Sequence, residues 1–112
     1  MKIAFTTQGP GWDAPMDPRF GRTPYLVIYD EDQDELTVID NRAVDNEAHG
    51  AGPLTARKLL DAAPQVLITG NGPGGNAAAV VATADIAIYV GAAGMTVREA
   101  YTAYKDGKLE KM

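Results

Sequence analysis

Apolar runs of four to six residues alternate along this chain with stretches of helical period, and the alternation predicts its elements. Lys2-Ile3-Ala4-Phe5-Thr6-Thr7 carries little charge and reads as an interior strand. Tyr25-Leu26-Val27-Ile28-Tyr29 is a second strand, and Leu36-Thr37-Val38-Ile39-Asp40-Asn41 alternates as an outer strand does. The short acidic link between them predicts an antiparallel hairpin. Residues Ala51 to Ala63 form a helix, with Pro53 in the first turn, where no amide hydrogen is missed. Leu54, Leu59 and Leu60 supply its apolar stripe, Arg57, Lys58 and Asp61 face water, and Pro64 stops it.

Val66-Leu67-Ile68-Thr69 is apolar on both faces, the habit of a strand covered on both sides in a parallel sheet. The glycine-rich turn Gly70-Asn71-Gly72-Pro73-Gly74-Gly75 follows, then a helix from Asn76 to about Thr83. Asp85-Ile86-Ala87-Ile88-Tyr89-Val90 is the fifth strand, and Gly91-Ala92-Ala93-Gly94 a second small-residue turn. Thr96-Val97-Arg98-Glu99 has capping-box spacing and opens a helix from Val97 to about Lys105, which Gly107 ends. The tail from Lys108 to Met112 is expected to dock only through Leu109, and Arg42 to Gly50 reads as polar connection.

The order is β-β-β-α-β-α-β-α. Two consecutive strand–helix crossovers make the second half parallel, and the first half is a meander. The expected assembly is a single α/β domain over residues 1–112, a mixed five-stranded sheet of order 3-2-1-4-5 with three helices on its faces. Ligands of open α/β sheets bind outside the carboxyl ends of the parallel strands. Those ends lead into the loop Gln8–Pro24, the turn Gly70–Asn76 and the turn Gly91–Met95. The first loop holds four prolines and three glycines without any period, yet carries Trp12, Met16 and Phe20, so it is expected to be packed. Trp12 and Phe20 either cover the core or line a pocket.

Composition narrows the function. The net charge of −5 argues against general nucleic-acid binding. Five of the acids, Asp30, Glu31, Asp32, Asp34 and Glu35, fall in one stretch, read as a solvated hairpin tip; the remaining ten acids balance ten bases. An anion site elsewhere is therefore electrostatically open. No run approaches the ~20 apolar residues of a membrane span, no secretory cleavage pattern follows Met1, and the expected location is the cytoplasm. There is no Ser and no Cys, which removes nucleophilic triads and thiolate-ligated metal.

Strand, glycine turn and helix start together suggest an anion cradle; the other reading is a turn that needs positive φ and binds nothing. Gly70-x-Gly72-x-x-Gly75 matches a dinucleotide fingerprint by letters only. The acid that should end the next strand is missing, and Pro73 removes a donor. A metal-dependent nuclease, suggested by a strand order resembling the ribonuclease H-like architecture, would need converging carboxylates that the first strand does not offer. His49 is the one histidine, either a solvated loop residue or a ligand.

The blocks MDPRFGRTPYLVIYD, HGAGP, ITGNGPGGNA, the turn after IAIYVG, and TVREAYTAYKDGKL resemble, in that order, the dinitrogenase iron-molybdenum cofactor-binding family. The resemblance covers essentially the whole chain. It implies a ribonuclease H-like three-layer α/β fold. It also implies relatives that carry iron–sulfur–molybdenum clusters or their precursors, and one that holds a molybdenum–copper sulfide cluster without covalent ligation. Phe20-Gly21-Arg22 matches the family's first-loop pattern, and many relatives carry His where Arg19 stands. His49-Gly50 matches the position before the first helix, and Gly70–Gly75 the glycine loop. The implied function is a small non-enzymatic carrier for an anionic metal–sulfur cluster, with a possible donor or acceptor protein and neither nucleic acid nor membrane as partner. The implied contacts are Arg19, Phe20, Arg22, His49, Gly70, Asn71, Gly72, Gly74, Gly75 and Asn76. His49 is the candidate metal ligand, and Met16 and Met95 are further soft donors. The rival expectation is a regulatory or scaffold domain that binds a protein through the acidic hairpin and the Trp12 loop.

Overall fold

The charge-poor opening run becomes β1, Lys2–Thr7, and every residue after Lys2 in it is buried. The structure, a computed structural model, describes residues 1–46 and 51–112; the side chains of residues 45 and 46 are outside the description too. β1 pairs antiparallel with β2, Tyr25–Asp30, which pairs antiparallel with β3, Glu35–Asp40. On its other side β1 runs parallel to β4, Val66–Ile68, which runs parallel to β5, Ala87–Val90. The helices are α1, Ala51–Ala62, α2, Gly75–Val81, and α3, Val97–Lys105.

Side chains alternate across the sheet, as strand geometry requires. Ile3, Phe5, Val27, Val66 and Ile68 form one core, closed by Val97 and Ala100 of α3. Ala4, Leu26, Ile28 and Leu67 form the other, closed by Ala56 and Leu59 of α1 and Ala77 and Val81 of α2. The sheet thus lies between α3 on one face and α1 with α2 on the other. No helix among the described residues is long and apolar enough to cross a membrane.

The sheet has six strands in the order β3-β2-β1-β4-β5-β6, not five. The added β6, Glu110–Lys111, is antiparallel to β5, and Met112 N–H also donates to the Ile88 carbonyl at 2.8 Å. Its cause lies at the end of α3. Gly107, at φ 72, lets Lys108 N–H reach the Ala103 carbonyl and its own N–H the Tyr104 carbonyl. That Schellman arrangement turns the tail back along the sheet. Two exposed charged residues carry no strand pattern, so the sequence reading left the tail attached through Leu109 alone. Leu109 does pack on the α3-side core.

Two further expectations need correction. Arg42–Asn46 is a short 3-10 helix, not plain connection, and Val44 within it is buried. The acidic link is not wholly solvated either. The Tyr101 hydroxyl donates to Glu31 at 2.6 Å and Lys105 Nζ at 3.0 Å, tying the hairpin to α3. The Trp12 loop covers the core. Its indole stands edge-on to Tyr29 and Tyr101, with centroids 4.8 and 5.7 Å away, under the Arg98 guanidinium.

Two stability predictions follow from these ties. Thr96 Oγ1 accepts from Glu99 N–H at 3.2 Å while Glu99 Oε1 accepts from Thr96 N–H at 2.9 Å, the reciprocal box expected from the spacing. Thr96→Ala should cost about 1 kcal/mol in urea unfolding, and an unchanged midpoint would show that the tail and loop hold α3 without the cap. The Tyr101 hydroxyl, and then Lys105, hold the Glu31 carboxyl below its ordinary 4.5. A depressed carboxyl stabilises the fold above that ordinary value and loses the contribution as pH falls through the lowered one. Glu31→Gln should therefore flatten the acid side of the stability profile below about pH 4.5, measured by thermal melts across pH; an unaltered slope would refute the linkage.

Candidate functional site

Every strand that points its carboxyl end toward the expected ligand edge leaves it through a bonded loop. At the end of β1, Thr6 Oγ1 donates to the Asp17 carbonyl at 3.0 Å and lies 2.7 Å from Thr69 Oγ1. Thr69 Oγ1 is also 3.2 Å from the Asn71 carbonyl. Each hydroxyl has one proton, so two of these three contacts are made at a time. The Thr6 and Thr69 hydroxyls and the Asp17 bond are buried, and the Asn71 contact is part-buried. The backbone laces the same segments: Asp17 N–H to Thr6, Asn71 N–H to Pro18 at 2.7 Å, Gly91 N–H to Gly70 at 3.0 Å, and Met16 N–H to Met95 at 2.8 Å. The first loop, the glycine turn and the second small-residue turn therefore meet along one rim, as strand order predicted.

The glycines of the turn divide by environment. A Cβ on Gly70 would stand 2.6 Å from the Pro18 Cα, so that glycine exists for the approach of the first loop. A Cβ on Gly72 would run into the Met112 thioether. Gly74 and Gly75 face open space, with nothing within 4 Å of an added Cβ, and Gly75 has φ 53. Gly74 caps α2 in extended conformation with no side-chain bond to the first turn. The helix thus begins one residue before the expected Asn76. Asn71, Gly74, Gly75 and Asn76 are exposed, and Gly70 is buried.

Close backbone approaches join this turn to the rest of the rim. A Cβ on Gly21 would lie 3.1 Å from the Gly52 Cα, and one on Gly52 would lie 3.0 Å from the Ala77 Cβ. The first loop, the first turn of α1 and the first turn of α2 are therefore in mutual contact. Thr55 of α1 adds a 2.6 Å bond from its hydroxyl to the Gly21 carbonyl. His49, the candidate ligand, and Gly50 lie outside the described residues; the described chain resumes at Ala51, the start of α1.

The remaining expected residues fall as follows. Arg19 is exposed at the surface, and its guanidinium grips the buried Asp17 carboxylate through Nε and Nη2, each at 3.1 Å. Its backbone N–H adds a 2.7 Å bond to the same carboxylate. Its charge thus faces a carboxylate of its own loop. Arg22 is half-buried beside Gly21. Phe20 is buried in the core under α1, and Met16 in the core under α3, so neither side chain opens on the rim. Met95 packs half-buried on the α3 side. Met112, which the sequence reading passed over, is 63% exposed and brings a thioether against Gly72; only recognition of the Gly107 reversal would have pointed to it. Nearby on β3, Arg42 holds the Asp40 carboxyl down at about 2 through paired hydrogen bonds. Among the described residues no group of three or more His, Cys, Asp or Glu side chains is placed to hold a metal ion.

Comparison with known proteins agrees with this architecture. The chain is 35% identical to the orange protein from Desulfovibrio gigas, whose apo form has been solved at high resolution; the match covers 99% of this chain and 92% of that one, at a TM-score of 0.91. It is 30% identical to a putative NifB protein from Thermotoga solved by NMR, over 98% of this chain and 91% of that one, at a TM-score of 0.84. No curated protein matches the chain. The family model described as dinitrogenase iron-molybdenum cofactor matches residues 1–107, and the chain belongs to that family.

Proposed function

We propose that this chain is a single-domain, ribonuclease H-like carrier for an anionic metal–sulfur cluster, and not an enzyme. The cargo would be an iron-molybdenum cofactor, a precursor of it, or a related molybdenum–copper sulfide. The observation that carries the reading is the meeting of the Gly21 loop with the first turns of α1 and α2, where the open Gly74–Gly75 backbone lies. The family name supports the chemistry.

The donor set fits a cluster held mainly without metal–protein bonds. The chain has no cysteine, and Met16 is sealed in the core. Ala77 N–H, and more weakly Ala78 N–H, turn back to the Gly74 carbonyl, which leaves the Gly75 and Asn76 amides at the start of α2 to suit an anion's oxygen or sulfur. Arg22 would supply charge from the adjoining first loop, and Arg19 shares its charge with Asp17. His49 is assigned as the one possible direct ligand. Release to an acceptor protein would then break hydrogen bonds and at most one coordination bond. A cytoplasmic location, the default for a chain without cysteine, completes the reading.

Two experiments test it. Anaerobic reconstitution with a molybdenum–iron–sulfur or molybdenum–copper sulfide cluster, followed by gel filtration and metal analysis, should give metal co-eluting with the protein. His49→Ala should lower the amount retained. No co-eluting metal with either cluster would sink the proposal.

The second experiment separates ligand from scaffold within one turn. Gly74 is extended, at φ −118, with free space around it. Gly74→Val should therefore keep stability to within about 1 kcal/mol while lowering retained metal at least ~10-fold, because the side chain fills the approach to the amides. Gly70→Ala should do the reverse, costing about 1–3 kcal/mol through its clash with Pro18 and leaving the folded fraction competent. Full metal retention by Gly74→Val would remove the glycine turn from the site. Gly75 is less useful as a probe, since its positive φ penalises any side chain regardless of ligand.

A further inference from the structure

The two edges of the sheet are protected very differently. On one side the last strand, β6, is two residues long, and such an edge is too short to recruit another strand. On the other side β3 runs for six residues in unbroken register with β2, from Glu35 opposite Asp30 to Asp40 opposite Tyr25. It has no proline, no lysine and no bulge, and the devices against strand addition that it does carry are the acids at its two ends, Glu35 and Asp40. One line of its backbone donors and acceptors therefore faces outward. Val38 on it is 40% exposed.

Beside this edge lies a groove of about 590 Å³ between β2–β3 and the second half of α1. Its floor is apolar, built from Ile28, Ile39 and Ala62. It exists because α1 and α2 cover the middle of the sheet and leave the β3 side of that face uncovered. Alternate residues of β3, Glu35, Thr37 and Ile39, face it. Its charged lining is three acids, Asp30, Glu35 and Asp61, against Lys2 and Lys58. Asp30 accepts from the hairpin amides of Asp32 and Gln33, whereas Glu35 and Asp61 have no hydrogen bond or ion pair among the described residues.

We propose that β3 is a docking edge for an extended basic segment of a partner protein, which adds as a seventh strand and sets alternate side chains into the groove. Main-chain bonds to the open edge would supply affinity, and the groove would supply selectivity. The two unpaired carboxylates call for cations on the incoming segment. A second copy of this chain fits poorly. In the full-overlap antiparallel register its Asp40 would oppose Glu35 at both ends, and like charges directly opposite destabilise a strand pair. The groove sits at the start of β1, near Lys2 and the hairpin, whereas the rim follows the end of β1. This inference does not rest on what the rim holds.

The test uses the intact chain and an acetylated, amidated probe peptide, Lys-Thr-Val-Val-Val-Thr-Lys, followed by NMR amide shifts. Binding should perturb residues 35–40 and 58–62. It should fall at least ~10-fold when both lysines become glutamates, and be lost when alternate peptide amides are N-methylated. The Glu35→Lys/Asp61→Lys double variant, both positions being at the surface, should reverse the preference between the basic and acidic peptides. Absence of binding at millimolar peptide, perturbation at the rim instead of β3, or equal binding of the N-methylated peptide would each overturn the proposal. So would concentration-dependent dimerisation with protection of residues 35–40, which would make a second copy the occupant.

Discussion

Two buried hydroxyls, Thr6 and Thr69, fasten the ends of neighbouring parallel strands, and the rim depends on that fastening. Parallel pairing of β1 and β4 brings their loops to the same end of the sheet but does not by itself pack one loop on the other. Because Thr6 also reaches the Asp17 carbonyl, and Asn71 N–H reaches Pro18, the long first loop is folded back over the strand ends. Gly70 makes this possible, since any side chain there would displace the loop backbone. A buried polar pair left half-satisfied would cost about 1–3 kcal/mol. The arrangement is therefore maintained as a unit or lost as one, and the open part of the glycine turn, Gly74–Gly75, is aimed by contacts that it does not itself make.

Electrostatics and architecture agree on where a negative ligand is tolerable. The chain is acidic overall, but its excess lies in the β2–β3 hairpin at the start of β1. β1 is six residues long, about 20 Å at strand rise, and the Debye length at physiological salt is about 8 Å. The hairpin acids are thus screened from the rim by more than two such lengths. Closer to the rim, Asp17 and Asp40 are each gripped by an arginine. Neither of these carboxylates therefore stands at the rim without a cation beside it.

The elements and their order were legible because burial writes a strong pattern. β4 is apolar on both faces because both faces are covered, and the Thr96–Glu99 box marked the start of α3 to the residue. Convergence of the three loops was legible from topology alone, since parallel neighbours must end on the same side. What stayed hidden has physical reasons too. β6 consists of a glutamate and a lysine held by backbone bonds, which leave no trace in side-chain pattern. The split between structural Gly70 and open Gly74 depends on Pro18, more than fifty residues away in sequence. Arg19 was expected to contact a cluster, and its pairing with the buried Asp17 carboxylate has no signature in sequence. Glu31 likewise read as solvated, because its partners Tyr101 and Lys105 belong to the far end of the chain.

A site of amides and guanidinium groups, as proposed, would also set the strength with which cargo is held. Hydrogen bonds to a charged group contribute about 1.5–3 kcal/mol each, so four of them give roughly 6–12 kcal/mol. Association itself costs an estimated 4–15 kcal/mol in lost freedom. The two ranges overlap, so a site of this kind would hold its ligand less firmly than thiolate ligation would. For a storage or catalytic protein that would be a defect. For a carrier it is a requirement, because cargo bound too tightly cannot be handed on. The absence of cysteine from a chain of this family is then consistent with transfer. Its scaffold spends strong, buried interactions on positioning the loops and would leave weak, exposed donors to meet the proposed ligand.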